Sequence, residues 1–224
     1  MLKKIARILW KDILTEFRTR EMFSAMFVFA LLMVVVFNFA FENAPRDSIL
    51  QAAPGLLWVA FTFAGILGLN RSNAIERENM SMQALMLAPI DRGAVYLGKM
   101  LANFLFMWIS ELLIIPIFAV LYNYSFTAHF WPFLLILVLG TLGFSAVGTI
   151  FSGIAVNTKM RDVMLPILFL PVVVPVVIGA VETSIRVLAG EPLRGMTDWL
   201  KILVVFDVIF ITVSFLVFEY VLEE

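Results

Sequence analysis

The sequence lacks cysteine and is poor in charge. None of its 224 residues is Cys, which excludes disulfides, thiolate metal sites and cysteine nucleophiles together. Charged residues make up only 15% of the chain, whereas a soluble domain carries about 25%. The 16 Lys and Arg balance 17 Asp and Glu, so the net charge of −1 indicates no nucleic-acid partner.

The sequence is instead rich in apolar residues. They account for 62% of the chain, and the mean hydropathy is +0.99. A soluble fold of this length could not bury so much apolar surface, and a disordered chain needs low hydrophobicity and high charge. The composition therefore predicts a membrane protein.

Six apolar runs are long enough to cross a hydrocarbon core of about 30 Å as helices. They do not alternate as the strands of a membrane barrel would. We therefore predict an all-α polytopic membrane protein whose residues 1–224 form a single transmembrane domain. The predicted spans are 22–41, 52–70, 100–121, 130–156, 163–181 and 202–218.

The distribution of Lys and Arg predicts the orientation, since positive charge stays on the cytoplasmic side. Twelve of these residues lie in the N-terminal segment and in the second and fourth loops, against four on the other side. Both termini are therefore expected in the cytoplasm. Residues 1–21 place basic side chains opposite an apolar stripe that includes Leu2, Ile5, Leu9 and Trp10. This pattern predicts an amphipathic helix at the lipid interface, and a solvated basic leader is the alternative.

Two carboxylates fall inside predicted spans, Glu111 in the third and Asp207 in the sixth. Each costs at least ~2.5 kcal/mol at a helix centre, so neither should face lipid. Glu111 is either a polar lining or proton-coupled position, or a carboxyl that hydrogen-bonds a neighbouring helix. For Asp207, which lies near the outer edge, we favour the hydrogen bond.

Three prolines, Pro166, Pro171 and Pro175, are expected to break the fifth span, because each removes a helix hydrogen bond. A span broken in this way is expected either to move or to wrap around another structure.

The motifs of enzymes are missing from the sequence. Residues 93–100 match a P-loop up to the last position, where Met100 replaces the required Ser or Thr. We therefore expect a non-catalytic protein that does not bind ATP itself and holds no metal.

The longest cytoplasmic connection, residues 71–99, carries the functional prediction. Its pattern favours a short amphipathic helix that stops before Pro89. Acidic and basic residues would begin this helix, and an apolar patch would follow at helical spacing. Such a helix suits docking into a groove on a soluble partner, with packing against its own bundle as the alternative. The residues concerned are Glu76, Arg77, Glu78, Met82, Leu85, Met86 and Pro89.

Four segments of the sequence resemble the CcmB-like permease of the cytochrome c maturation system, the membrane component of a haem-handling ABC transporter. They are Ala53–Ala60, Met82–Pro89, Gly98–Asn103 and the proline-rich Leu165–Pro175. Where the family typically has a glycine and a glutamate before the loop proline, this chain has Met80 and Gln83. That departure affects the exact partner surface.

The resemblance implies an ABC-2-type (type V-like) permease half in the bacterial inner membrane. It implies a homodimer bound to two cytoplasmic ATPase subunits, which bind the ATP, and to a haem-handling membrane subunit and a periplasmic haem chaperone. Haem would be a substrate and not a resident cofactor. ATP hydrolysis would then drive either haem export or release of the loaded chaperone. The lone histidine, His129, is the one candidate haem ligand, although its place at a span edge is more typical of a surface residue.

Other functions are left open by the sequence. Another ABC-2-type exporter, for lipids, polysaccharides or drugs, would share the same features. An ion-coupled secondary transporter could use Glu111, but no inverted repeat is found. A non-transporting membrane scaffold is the third alternative.

Overall fold

The computed structural model describes residues 1–79, 85, 87, 91–124, 130–156, 161–191 and 193–221. Across these residues the secondary structure is helical, with no strand. A 3₁₀ turn at Leu193–Met196 precedes the last of seven long helices. The helices are α1 Leu2–Thr19, α2 Glu21–Ala40, α3 Arg46–Glu78, α4 Arg92–Leu121, α5 Phe130–Val156, α6 Arg161–Leu188 and α7 Thr197–Val221.

Six of these helices, α2 to α7, are long and apolar enough to cross a membrane. This finding confirms the predicted class, an all-α polytopic membrane protein with six spanning helices. Helices α2 and α5 begin and end within a residue of the predicted spans. For these two elements the apolar run alone predicts both ends.

The other four spanning helices extend beyond their predicted spans. Helix α3 has 33 residues, about 50 Å at 1.5 Å per residue, well over the hydrocarbon thickness. Residues 71–78 and 92–99, assigned to the loop by hydropathy, are therefore helical. Hydropathy marks where lipid lies, whereas backbone hydrogen bonding continues into the polar interface. The extended helices are α3, α4, α6 and α7.

The predicted breaks at Pro166, Pro171 and Pro175 are wrong. All three lie inside α6, which is continuous from Arg161 to Leu188. Each proline removes one donor, but inside a membrane the remaining backbone groups have no better partner than the helix itself. Helices α3 and α4 likewise continue through Pro54 and Pro116.

Helix α1 is separated from α2 by a single residue, Arg20, whose φ of 56° is in the left-handed region. The helix predicted for residues 1–21 is present, but its apolar residues divide between two environments. Ile5 and Ile8 are buried against the protein, whereas Leu2 and Trp10 are exposed. The stripe therefore serves two surfaces: one part packs on α4 and the other faces outward.

The main core lies between α2, α3, α4, α5 and α6, and α7 adds Leu203 and Phe206 to it. Glycine permits close approach in this core: Gly140 lies against Trp58, and Gly65 lies against Phe144. Trp58 also donates from Nε1 to Ser184 Oγ at 3.0 Å, which joins α3 to α6. A second cluster around Tyr96, Met100 and other residues lies where α1, α4, α5 and α7 meet. We call that end of the bundle, with the end of α3 and the start of α4, the loop end.

Candidate functional site at the loop end

A buried ion pair joins the two ends of the 71–99 segment. Lys99 of α4 bonds through Nζ to Oε1 of Glu76 at the end of α3, and both side chains are largely shielded from solvent. A charge at such depth is stable only when paired. The pair therefore holds α3 and α4 in a fixed relation on either side of the loop.

This pair changes the role of the predicted helix start. Glu76, Arg77 and Glu78 end α3 and do not begin a separate helix. A carboxylate near a helix C-terminus is unfavourable towards the helix dipole, and Lys99 offsets that cost for Glu76. Arg77 and Glu78 are exposed.

A second contact continues the connection across the bundle. Asn103 of α4 donates from Nδ2 to Oγ1 of Thr149 in α5 at 3.0 Å. Thr149 in turn donates to the carbonyl of Ser145 at 2.7 Å. Both side chains are buried, so α4 and α5 are joined by a fully internal polar link.

The start of α4 is anchored at its own N-terminus and to α7. The Asp91 carboxylate caps the helix by accepting from the Gly93 N–H at 2.8 Å. Arg92 donates from Nη1 to the carbonyl of Glu219 at 3.2 Å. Helix α4 is thus tied to α3, α5 and α7 within three turns.

Helix α1 packs against the same part of α4, at Gly98. A Cβ built there would lie 2.8 Å from Cβ of Ile8, so a larger residue would push α1 away. Gly98, Lys99 and Asn103 therefore contact α1, α3 and α5 in turn. Segment 98–103, one of the segments that resemble a known family, therefore joins the helices that form the loop end.

A small polar cavity of about 50 Å³, the size of a few water molecules, lies among these contacts. We call it the polar cavity. Its lining includes three carboxylates, one ammonium group and several amides and hydroxyls. Among them are Asp12, Glu16, Ser72, Asn73, Glu76, Lys99, Asn103, Thr149 and Ser152.

Glu16 holds the elbow between α1 and α2. Its Oε1 accepts from the Phe23 N–H at 2.7 Å, so it caps the N-terminus of α2 from the preceding helix. Burial raises the pKa of Glu16 above its ordinary value, and the hydrogen bonds from Phe23 and Met22 oppose that rise. Sequence reasoning missed this residue; an acid a few residues before a helix start, in an otherwise basic segment, was the available signal.

The remaining predicted loop residues have different environments. Leu85 is helical and partly buried against the chain's own second cluster. Leu87, which the sequence analysis did not single out, is 89% exposed. Met82, Met86 and Pro89 lie outside the described residues.

The two intramembrane carboxylates are both buried and differ in their partners. Thr141 of α5 donates to Oε2 of Glu111 at 2.6 Å. The hydrogen bond expected for Asp207 is absent: in the described part of the chain neither of its oxygens has a donor. Asp207 lies against Gly143, where α5 offers no side chain.

No cluster of potential metal ligands occurs among the described residues. His129 lies outside them. At the loop end, the helices are joined by charge pairing and hydrogen bonding.

Comparison with known proteins gives a consistent result. A family model described as CcmB protein matches residues 3–223. Heme exporter protein B of Pseudomonas aeruginosa is 31% identical over 205 residues, covering 89% of this chain and 86% of that protein. Heme exporter protein B of Rhodobacter capsulatus is 34% identical over 154 residues, 68% and 70% of the two chains. The chain therefore belongs to the CcmB protein family.

Proposed function

We propose that this chain is the membrane-spanning permease subunit of an ABC transporter that exports haem for cytochrome c maturation. The observation that carries the proposal is the family match over residues 3–223, with relatives named Heme exporter protein B. The six spanning helices supply the membrane body that such a subunit requires. The absence of a complete P-loop in the sequence supports a non-catalytic role.

The energy comes from ATP bound and hydrolysed by a separate ATPase subunit, which docks at the loop end. Arg77, Glu78 and Leu87 are among the described residues that are exposed to such a partner. Leu87 leaves 89% of its surface exposed, and a docked partner would cover it. The predicted docking residues Met82, Leu85, Met86 and Pro89 remain part of this proposal.

The assembly is a homodimer with two ATPase subunits, a haem-handling membrane subunit and a periplasmic haem chaperone. It sits in the bacterial inner membrane with both termini of this chain in the cytoplasm. The excess of Lys and Arg on the loop side supports that orientation. ATP hydrolysis drives either the movement of haem or the release of the loaded chaperone.

The contacts of the loop end supply a route for the mechanical step. Closure of the ATPases pushes the 71–99 segment, and the Glu76–Lys99 pair makes α3 and α4 respond together. The Asn103–Thr149 bond extends the movement to α5. The polar cavity beneath these contacts leaves room for side chains to rearrange.

Substitution of Leu87 tests the docking surface. Leu87→Asp should abolish co-purification of the ATPase subunit with this chain, since a charge would replace the exposed apolar contact. It should leave the fold intact because the side chain packs on little. Val120→Asp, at an exposed apolar position at the opposite end of α4, is the matched control and should retain the ATPase.

The same two variants test the function in cells that lack the natural chain. Cells with Leu87→Asp should fail to attach haem covalently to c-type cytochromes, and cells with Val120→Asp should succeed. Normal cytochrome c and normal ATPase retention in Leu87→Asp would contradict this docking surface.

A further inference from the structure

An apolar groove of about 290 Å³ lies beside the α1–α2 elbow, next to the polar cavity, with which it shares Glu16 and Phe106. Helices α2 and α4 form its walls through Phe23, Phe106 and Ile109, and α1 contributes Glu16 and Phe17. Arg20 stands at the elbow itself. Because α2 and α4 are membrane-spanning helices, the groove opens towards lipid at the loop end. We call it the elbow groove.

Two charged residues line the elbow groove, and they differ in exposure. Glu16 is buried and accepts from the Phe23 N–H, whereas Arg20 is exposed. The nearby Glu21 is paired with Arg71 of α3. Within the described residues no carboxylate forms an ion pair with Arg20 or with the nearby Arg18. Arg20, which has no ion-pair partner among the described residues, therefore borders the elbow groove, and this groove starts at the membrane interface.

Hydrogen bonds at the elbow fix the backbone of Arg20. The Arg20 N–H donates to the Glu16 carbonyl at 2.7 Å, and the Arg20 carbonyl accepts from Ser24 at 3.1 Å. With its left-handed backbone fixed between two helices, Arg20 keeps its Cα beside the groove that its side chain lines.

We propose that the elbow groove binds one anionic phospholipid from the leaflet that contains α1. One acyl chain packs along Phe23, Phe106 and Ile109, and the phosphate pairs with Arg20. The net charge selects the ligand, since in a zwitterionic lipid the quaternary ammonium beside the phosphate offsets the attraction to Arg20. Lipid binding at this site requires neither haem nor the ATPase, so its test is independent of the proposed function.

The test is native mass spectrometry of the full chain with equimolar dioleoylphosphatidylglycerol and dioleoylphosphatidylcholine. The natural chain should retain one phosphatidylglycerol with a preference of about fivefold, the effect expected of one arginine near an anionic surface. Arg20→Asn should remove that preference, because asparagine tolerates the left-handed backbone but carries no charge. Arg20→Lys should restore it. Ile109→Trp should block retention of both lipids by filling the groove.

Two variants serve as matched controls. Arg18→Asn removes an equally unpaired cation that does not line the groove, and Val208→Trp adds the same bulk on exposed α7. Both should bind lipid as the natural chain does. Equal loss in Arg18→Asn and Arg20→Asn, or undiminished binding in Ile109→Trp, would overturn the proposal. If Arg20→Asn does not fold, the Arg20→Lys and Ile109→Trp variants decide.

Discussion

At the residue scale, Glu76 and Lys99 form an ion pair that is largely shielded from solvent. Its members lie 23 positions apart in sequence, on the two helices that flank the loop. A pair of this kind adds little if both partners are replaced together by well-packed apolar residues, but breaking it leaves one buried charge alone.

Lys99→Met should therefore lower the free energy of unfolding by about 3 kcal/mol, because the buried carboxylate of Glu76 loses the ammonium group that offsets its charge. The double exchange Glu76→Lys with Lys99→Glu should recover most of that loss. Thermal unfolding in detergent measures both. The control is Lys201→Met, whose partner Asp198 is exposed, and which should change stability by no more than ~1 kcal/mol. Equal losses for Lys99→Met and Lys201→Met would contradict the assignment.

Glu16 gives the loop end a pH dependence of known sign. Because burial raises its pKa in the folded chain, the folded state binds more protons than the unfolded state at pH values just above 4.5. Stability contributed by this group therefore falls as pH rises through that window.

Glu16→Gln should flatten this dependence, since an amide oxygen can still accept from Phe23 but cannot ionise. We expect the melting temperature of the natural chain to fall more steeply than that of Glu16→Gln as pH is raised from 4.5 towards neutrality. Parallel curves for the two proteins would show that Glu16 does not titrate in the folded chain.

At the scale of the helices, the position of α1 depends on one glycine. Gly98 lets α1 lie directly on α4, with Ile8 in contact. Gly98→Ala should displace α1 and expose the elbow, whereas Gly195→Ala meets nothing within 4 Å and should be neutral. Limited proteolysis of the α1–α2 elbow measures the displacement. Unchanged cleavage in Gly98→Ala would contradict this seat for α1.

The sequence predicted elements best where membrane alone determines them. The ends of α2 and α5 follow directly from hydropathy. The extension of α3 to Glu78 did not, because the stability of its polar end depends on Lys99, a distant residue. The continuity of α6 through three prolines was also missed, since a local rule about missing donors ignores the lack of alternative partners in lipid.

At the scale of the whole molecule, the charges concentrate at the loop end. The sequence showed that the spans contain few charges, and it placed the basic excess on one side. It did not show that Glu76 faces inward while Arg77 and Glu78 face outward. That division follows from how α3 rotates against α4, which packing decides. The segment around Gly98 and Asn103 was recognised only by resemblance, and its contacts explain why those residue types occur there.

The central claim is that this chain works in a complex that handles haem and is driven by ATP. Its most direct test is the absorption spectrum of the complete complex, purified with its ATPase and haem-handling subunits after haem has been supplied. We predict a haem absorption band in the ATP-free complex that decreases when ATP and Mg²⁺ are added. A complete complex that shows no haem band without ATP, or a band that ATP leaves unchanged, would contradict this account.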